Sequence, residues 1–531
     1  MITTAFVKIW GETVGAVAWD KATGIASFEY DPKFINTKSD LAPIKMPITN
    51  SNKRIFSFPE LRDVKTFKGL PGLLADVLPD DYGNQLINSW LAQNGRPENS
   101  MNPVELLCFI GTRGMGALEF EPSQLKPNKR AFDIEIDSLV NISRKMLTRK
   151  ESFETNLNVD EQKAMLDILK IGTSAGGARP KAIIAYNEKT GQVKSGQTIA
   201  PKGFEHWLIK LDTISDVQFG ESTGFGRVEM AYYLMAKACE IDMMECRLME
   251  ENGRAHFMTK RFDRENGDQK HHIQTLCAMQ HYDFNQITSF SYEQLFQTMR
   301  ILQLPYPQAE QMYRRMVFNV ISRNCDDHTK NFAFRLKKDS EWELAPAYDI
   351  CFAYSPDSTW VSQHNLSLNG KRKDITKEDL LMVAKAMNIK KADNIIKQIS
   401  DTVNKWYTFA EITSVEESLK EKIKKSEEEF TIELVKNPDI LKTMGEKKTH
   451  QFLVGFALET QNEEENAKIK LQKKNLDMIV LNSLRDEGAG FQKDTNKVKI
   501  LTHSEQKEFS LKSKDEVAKD ILDFVETQLK K

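Results

Sequence analysis

The period of the hydrophobic residues changes along this 531-residue chain, so one regular architecture cannot accommodate all of it. Near the N-terminus AFVKIW, VGAVAWD and IASFEYDP alternate apolar with polar residues. Gly11 and Ala22-Thr23-Gly24 punctuate them, the pattern of a small antiparallel meander. From FPELRDVKTF through LLADVLPDDYGNQLINSWLAQNG the apolar residues recur at helical spacing. NPVELLCFIGTRGMGALEFEP then runs from a helix through a Gly-rich turn to a strand. These segments define a first, β-rich domain over residues 1–125.

Between Pro122 and Asn158 the charged runs KPNKR and SRKMLTRKES mark an exposed connection. Asp160 to Lys170 reads as a short helix, and GTSAGGARPKAIIAYN as a small-residue loop feeding a strand. FEHWLIKLD is a further strand, HFMTKRFDR a strand leading to a turn, GRVEMAYYLMAKACEI a helix, and YEQLFQTMRIL and QAEQMYRRMVFNVISRN are amphipathic helices. A second domain accordingly spans residues 150–420. After Ser426 the texture becomes βαβ-like: FLVGFAL and DMIVLNSL flank the helix EEENAKIKLQKKN. A final helix opens with Ser513 and Glu516 in capping-box spacing and places Val517, Ile521, Leu522 and Val525 on one face. This third module covers residues 426–531.

With 40% hydrophobic and 28% charged residues the chain can bury several cores, and its formal net charge of −2 excludes a global basic field for nucleic-acid binding. The six cysteines form no C-x-x-C pair and no Cys/His ligand spacing, which points to a reduced compartment without structural zinc. The start lacks a basic segment followed by an apolar run, and no stretch approaches the ~20 apolar residues a membrane helix needs. A cytoplasmic protein with no membrane partner is expected.

The chemistry-bearing segment is CDDHTKNF, Cys325 to Phe332, where Asp326 precedes Asn331 by the D-x-x-x-x-N spacing of kinase catalytic loops. Phosphoryl transfer needs a carboxylate for the acceptor hydroxyl and hard oxygens for Mg²⁺ held with the nucleotide. Downstream, FAFRLKKDSEWELAPAY reads as a hairpin delivering Asp349, a second hard oxygen ligand. Asp327 stands four residues from Asn331 and reads as a turn residue, His328 as a loop-packing histidine. The loop Gly172 to Lys181 offers backbone N–H groups that can approach phosphates, although it is neither a Walker loop nor G-x-G-x-x-G. Lys210 could neutralise phosphates or snorkel from a strand end, and Glu229 could hold that lysine or face solvent.

Taken in order, the N-terminal meander with NPVELLCFIGTRGMGALEFEP, SAGGARPK, HWLIKLD, TKRFDR, DDHTKNFAF and LAPAYDI resemble the HipA family of toxin serine/threonine kinases over residues 1–420. The resemblance implies an α+β, bilobal, protein-kinase-like domain with an added N-terminal β-rich subdomain. It implies ATP and Mg²⁺ as cofactors, Asp326 as the catalytic base, Asn331 and Asp349 as Mg²⁺ ligands and Lys210 on the ATP phosphates. Ser174, Gly176, Gly177 and Lys181 would line the phosphate loop, and Lys260 and Phe262 the adenine connection. Ser174 would be the autophosphorylated serine that inactivates the kinase. A dianionic phosphate there would repel those of ATP. The implied partners are a helix-turn-helix, HipB-like antitoxin that binds operator DNA and a protein substrate such as an aminoacyl-tRNA synthetase. DNA contact would be indirect, through the antitoxin.

The last hundred residues resemble the C-terminal part of phosphopantothenoylcysteine synthetase, the CTP-dependent ligase of coenzyme A synthesis. KNPDI, LVGFALET, ENAKIKLQKKNLDMIVLNS and GAGFQKDTNKV carry this likeness. It would put Asp439, Ile440, Phe456, Lys470 and Lys474 at a CTP site in an α/β fragment. Lys422 in KIKK either matches that enzyme's catalytic lysine or ends the last helix of the preceding domain. The synthetase's N-terminal half, with its Gly-rich nucleotide-fold opening, has no counterpart, which argues against ligase activity. Such a chain is a gene fusion, genuine or arising in gene assembly. A non-catalytic antitoxin-binding scaffold is the third reading.

Overall fold

The computed structural model describes residues 2–37, 39–49, 54–124, 133–137, 139–140, 180–196, 199–212, 224–267, 269–428, 439–459, 462–483 and 494–530. Two compact units emerge, Met1–Ile432 and Glu433–Lys531.

The first unit opens with an antiparallel sheet of β1 (Thr4–Ile9), β2 (Glu12–Asp20), β3 (Ile25–Tyr30), β4 (Ile55–Ser57) and β5 (Glu119–Glu121), ordered β4-β3-β2-β1-β5. Strand alternation does the sorting: Ala5, Val7 and Ile9 are buried while Phe6 between them faces out. Gly11, at φ +84°, makes the β1–β2 turn. Helix α1 (Asp81–Gln93) is capped by Asp80, whose carboxylate accepts the Gly83 N–H. Helix α2 (Pro103–Ile110) is capped by Asn102, starts with Pro103, and is buried along its whole length. The helical spacing read from FPELRDVKTF onward holds only from Asp81. Before it lie a 3₁₀ turn, Pro59–Leu61, and one short helix, Gly72–Ala75, because Pro59, Gly69 at φ +78° and Pro71 interrupt any longer run.

A second antiparallel sheet contains β6 (Lys181–Tyr186), β7 (Val193–Ser195), β8 (Glu205–Lys210), β9 (Cys246–Glu251) and β10 (Arg254–Lys260), ordered β7-β6-β8-β10-β9. Helix α3 (Phe225–Ala238) packs on β9 and β10. It approaches so closely that a Cβ on Gly226 would stand 2.2 Å from the Ala255 carbonyl oxygen. A ribbon of β11 (Arg264–Glu265) and β12 (Gln269–Lys270) leads to the three-stranded sheet β13 (His272–Thr275), β14 (Ala333–Leu336) and β15 (Trp342–Leu344). Beside it lie α4 (Tyr292–Ile301), opened by a Ser291/Gln294 capping box, and α5 (Tyr306–Ile321). Met312, Met316, Val317 and Val320 of α5 sit in one core with Leu295, Phe296, Phe332 and Phe334.

In the second unit β16 (Val454–Glu459) and β17 (Met478–Ser483) run parallel, joined by α6 (Glu463–Lys473), and α6 packs on both. The strands β18 (Thr495–Asn496) and β21 (Lys512–Ser513) pair with each other, while β19 (Val498–Thr502) and β20 (Gln506–Glu508) extend the main sheet in the order β16-β17-β19-β20. Helix α7 (Lys514–Leu529) carries the Ser513/Glu516 capping box. Its inward face is Val517, Ile521, Phe524 and Val525; Leu522 points to solvent, since i, i+4, i+7 and i+8 already complete the stripe.

Candidate functional site

The loop after α5 takes its shape from Asp327. Read from sequence as a turn residue, it is instead buried. One carboxylate oxygen accepts the Asn365 backbone N–H at 2.7 Å, and the other accepts the Tyr292 hydroxyl at 2.7 Å and His364 Nδ1 at 2.9 Å. Burial works against charge on His364, but the Cys325 sulfur 3.9 Å away and the Asp327 carboxylate hold its pKa well above the usual imidazole range. Two distant chain segments, at Tyr292 and at His364-Asn365, therefore fix the loop.

Above that anchor Asp326 turns its carboxylate outward, 31% exposed, while Asn331 Nδ2 donates to the Asp326 carbonyl at 2.7 Å. This internal bond is what the five-residue spacing accomplishes, because it closes the loop and directs the Asn331 amide oxygen away from it. Asp326 Oδ1 accepts the Trp360 indole N–H at 2.6 Å and stands 3.7 Å from His328 Nε2. Burial raises the Asp326 pKa; His328 and Trp360 oppose that, and the negative charges of Asp349 and Asp327 add to it. His328 also accepts the Lys330 N–H at 3.2 Å and so caps the 3₁₀ turn Thr329–Asn331, a packing and bonding role as read.

Asp349 follows β15 with φ +55°, a left-handed backbone that turns its side chain back toward β8. There Lys210 Nζ, at the end of β8, donates to Asp349 Oδ1 and to Glu229 Oε1 of α3, the latter at 2.5 Å. Glu229 is thus the lysine's partner and not a solvated carboxylate: it is 1% exposed. Burial would raise the Asp349 pKa, but Lys210 and Lys181 hold it at about 2. Burial likewise disfavours the Lys210 ammonium, which Asp349 and Glu229 more than offset, lifting its pKa above the ordinary lysine range.

Lys181, the first residue of β6, is fully enclosed and pairs with Asp80 at 3.2 Å; it also acts electrostatically on Asp349 and Lys210. Asp80 belongs to the N-terminal subdomain, and sequence reading did not associate it with the site. Lys260 ends β10 and pairs with Glu205 at 2.5 Å. Phe262 stacks on Tyr348, the residue before Asp349, at 5.6 Å between ring centroids. Ser174, Gly176 and Gly177 lie outside the described residues. Among the described residues no group of three or more His, Cys, Asp or Glu could hold a metal. The Asn331 amide oxygen and the Asp349 carboxylate are hard donors too few to cage a cation, which fits Mg²⁺ bound partly through nucleotide phosphates.

In the second unit Asp439 caps the helix Ile440–Glu446 and pairs with Lys474 at 2.7 Å. Ile440 and Phe456 are exposed, and Lys470 lies half-buried on α6. Lys422 sits within the helix Glu417–Glu428 of the first unit. No helix among the described residues is long and apolar enough to cross a membrane.

Three family models match the chain, two of them overlapping at residues 376–407. The HipA N-terminal domain model matches residues 5–121 and the HipA-like C-terminal domain model residues 173–407. The model of the DNA/pantothenate metabolism flavoprotein C-terminal domain matches residues 376–529. A chain of the Shewanella oneidensis MR-1 toxin–antitoxin complex of HipA, HipB and operator DNA is similar in fold. Its TM-score is 0.55 at 15% identity, covering 79% of this chain and 94% of that one. Among curated proteins, a cysteine/cysteine sulfinic acid decarboxylase of an unknown prokaryotic organism is 52% identical over 103 residues, 19% of this chain and 29% of that protein. The coenzyme A biosynthesis bifunctional protein CoaBC of Haemophilus influenzae is 46% identical over 112 residues, 21% of this chain and 28% of that one. The chain thus spans under a third of the length of these curated relatives.

Proposed function

We propose, from the premise that residues 5–407 carry the HipA N- and C-terminal domains in a HipA-like kinase fold, that this chain is a Mg-ATP-dependent serine/threonine protein kinase. The observation that carries this reading is the clasp of Lys210 between Glu229 and Asp349, beside a loop in which Asn331 and Asp326 are bonded together. Asp326 receives the acceptor hydroxyl proton. Asn331 and Asp349 would hold Mg²⁺, which would supply neutralisation of the nucleotide phosphates. Lys210, kept charged and immobile by its two carboxylates, faces the α/β-phosphates. Ser174, Gly176, Gly177 and Lys181 cover the phosphate side, Lys260 and Phe262 the adenine side.

We further assign to the protein the role of a toxin that slows growth, inactivates itself by phosphorylation of Ser174 and is restrained by a HipB-like antitoxin, with DNA reached only through that partner. The resemblance of the domains supports this, as does the assembly in which the similar Shewanella oneidensis chain was solved. An aminoacyl-tRNA synthetase is the proposed substrate class. Removing a positioned general base typically costs about 10²- to 10⁴-fold in rate, so Asp326→Ala should abolish γ-phosphate transfer and growth arrest. Phosphosite mapping after incubation with Mg-ATP should find phosphate on Ser174 only when Asp326 is intact. Unaltered transfer by Asp326→Ala refutes the assignment.

A second reading concerns residues 433–531, where the Asp439–Lys474 pair joins two of the residues assigned to a CTP site. It predicts heat on titration with CTP, reduced by Lys470→Ala. A flat titration disposes of it.

A further inference from the structure

The proposed base makes one contact that the D-x-x-x-x-N spacing does not supply. Trp360 lies 34 residues beyond Asp326, in a loop fastened to the catalytic loop: Asn365 Nδ2 donates both to the Trp360 carbonyl at 3.1 Å and to the Cys325 carbonyl at 2.9 Å. The Trp360 backbone N–H donates in turn to Ser358 Oγ at 3.1 Å. Its ring packs edge-on to Phe284 and His328, at 6.1 and 6.0 Å between centroids. An indole held on these sides cannot swing without breaking them, and its N–H is aimed at Asp326 Oδ1.

We propose that Trp360 is a positioning residue for the proposed phosphotransfer, its indole N–H holding Asp326 Oδ1 so that Oδ2 faces the acceptor hydroxyl. This rests on the kinase reading above. The hydroxyl proton passes to Oδ2 as the new oxygen–phosphorus bond forms, and the bridging oxygen of the nucleotide departs with the electrons of the bond that breaks. A carboxylate free to rotate would present either oxygen, at varying distance, and lose the alignment that such transfers require. The indole bond also favours the ionised carboxylate. The other titratable groups facing Asp326 are Asp327 and His328 on its own loop and Asp349 after β15.

The test uses the full chain with ¹⁵N-labelled indoles, among which the Trp360 resonance is identified by its loss in Trp360→Phe. That resonance should titrate with Asp326 and shift in Asp326→Asn; an unmoved resonance overturns the contact. Trp360→Phe, and replacement of Trp360 by benzothienylalanine, which keeps the ring but lacks the N–H, should lower kcat about tenfold or more. KM for ATP should stay within about twofold. If both variants keep wild-type kcat, the positioning role is refuted while the kinase reading stands. If the wild type itself transfers no phosphate, the kinase reading falls and the role falls with it, even where the indole still reports on Asp326.

Discussion

Asp80→Asn isolates a single buried charge that ties the N-terminal subdomain to the site. Asparagine caps helices about as well as aspartate, and its amide oxygen can still accept the Gly83 N–H, so α1 keeps its start. What is lost is the attraction across 3.2 Å between Asp80 and Lys181, whose side chains are 8% and 2% exposed. Coulomb attraction at that separation is about 5 kcal/mol with an effective dielectric near 20. Breaking a buried pair from one side typically costs about 3–5 kcal/mol, because the surviving charge stays buried. Asp349 also attracts Lys181, which places the expected loss near the lower end, about 3 kcal/mol. Urea unfolding of Asp80→Asn, Lys181→Met and the double variant measures it. The double variant should recover most of the loss, since no buried charge is stranded, giving a coupling of more than about 1 kcal/mol. Additive losses would refute the pairing as the source.

Three further outcomes follow from the same structure. His364 has a folded-state pKa well above its ordinary 6.5, so its contribution to stability is complete below about pH 6.5 and fades as pH climbs through the folded value; melting curves should show an alkaline decline that His364→Asn flattens. Asp349, held at about 2, contributes stability that is present above its ordinary 3.8 and lost only as pH falls toward 2, whereas the Asp326 pKa is raised. The acid limb of the pH–rate profile should therefore belong to Asp326, and a limb that lies near pH 2 would contradict this. Gly226→Ala forces a methyl group against the Ala255 carbonyl at 2.2 Å and should lower the melting temperature by several degrees; an unchanged value would show that α3 can move aside.

Much of the site is legible in sequence because its chemistry is local. Asp326 and Asn331 must share one short loop for the Asn331 amide to reach the Asp326 carbonyl, and that requirement is a spacing. Lys210 and Asp349 are recognisable as the ends of a strand and of a hairpin. Asp80 and Trp360 carry no such mark, and only the folded chain brings them 3.2 Å from Lys181 and 2.6 Å from Asp326. Asp327 misleads for a related reason, since an aspartate beside another in a polar loop resembles a turn former until its three buried partners are seen. The run from FPELRDVKTF fails differently, because its apolar spacing is helical while its prolines and Gly69 forbid the helix. Leu522 shows that a stripe read from a helix alone can be one residue too wide.

The anchoring of Asp327 has an evolutionary corollary. Tyr292 opens α4, and His364 and Asn365 lie far downstream, yet all three grip the carboxylate adjoining Asp326. Substitutions at these inconspicuous positions would be felt as misalignment of the neighbouring carboxylate. A screen for loss of the proposed phosphotransfer should therefore recover them as readily as changes in the DDHTKN motif itself.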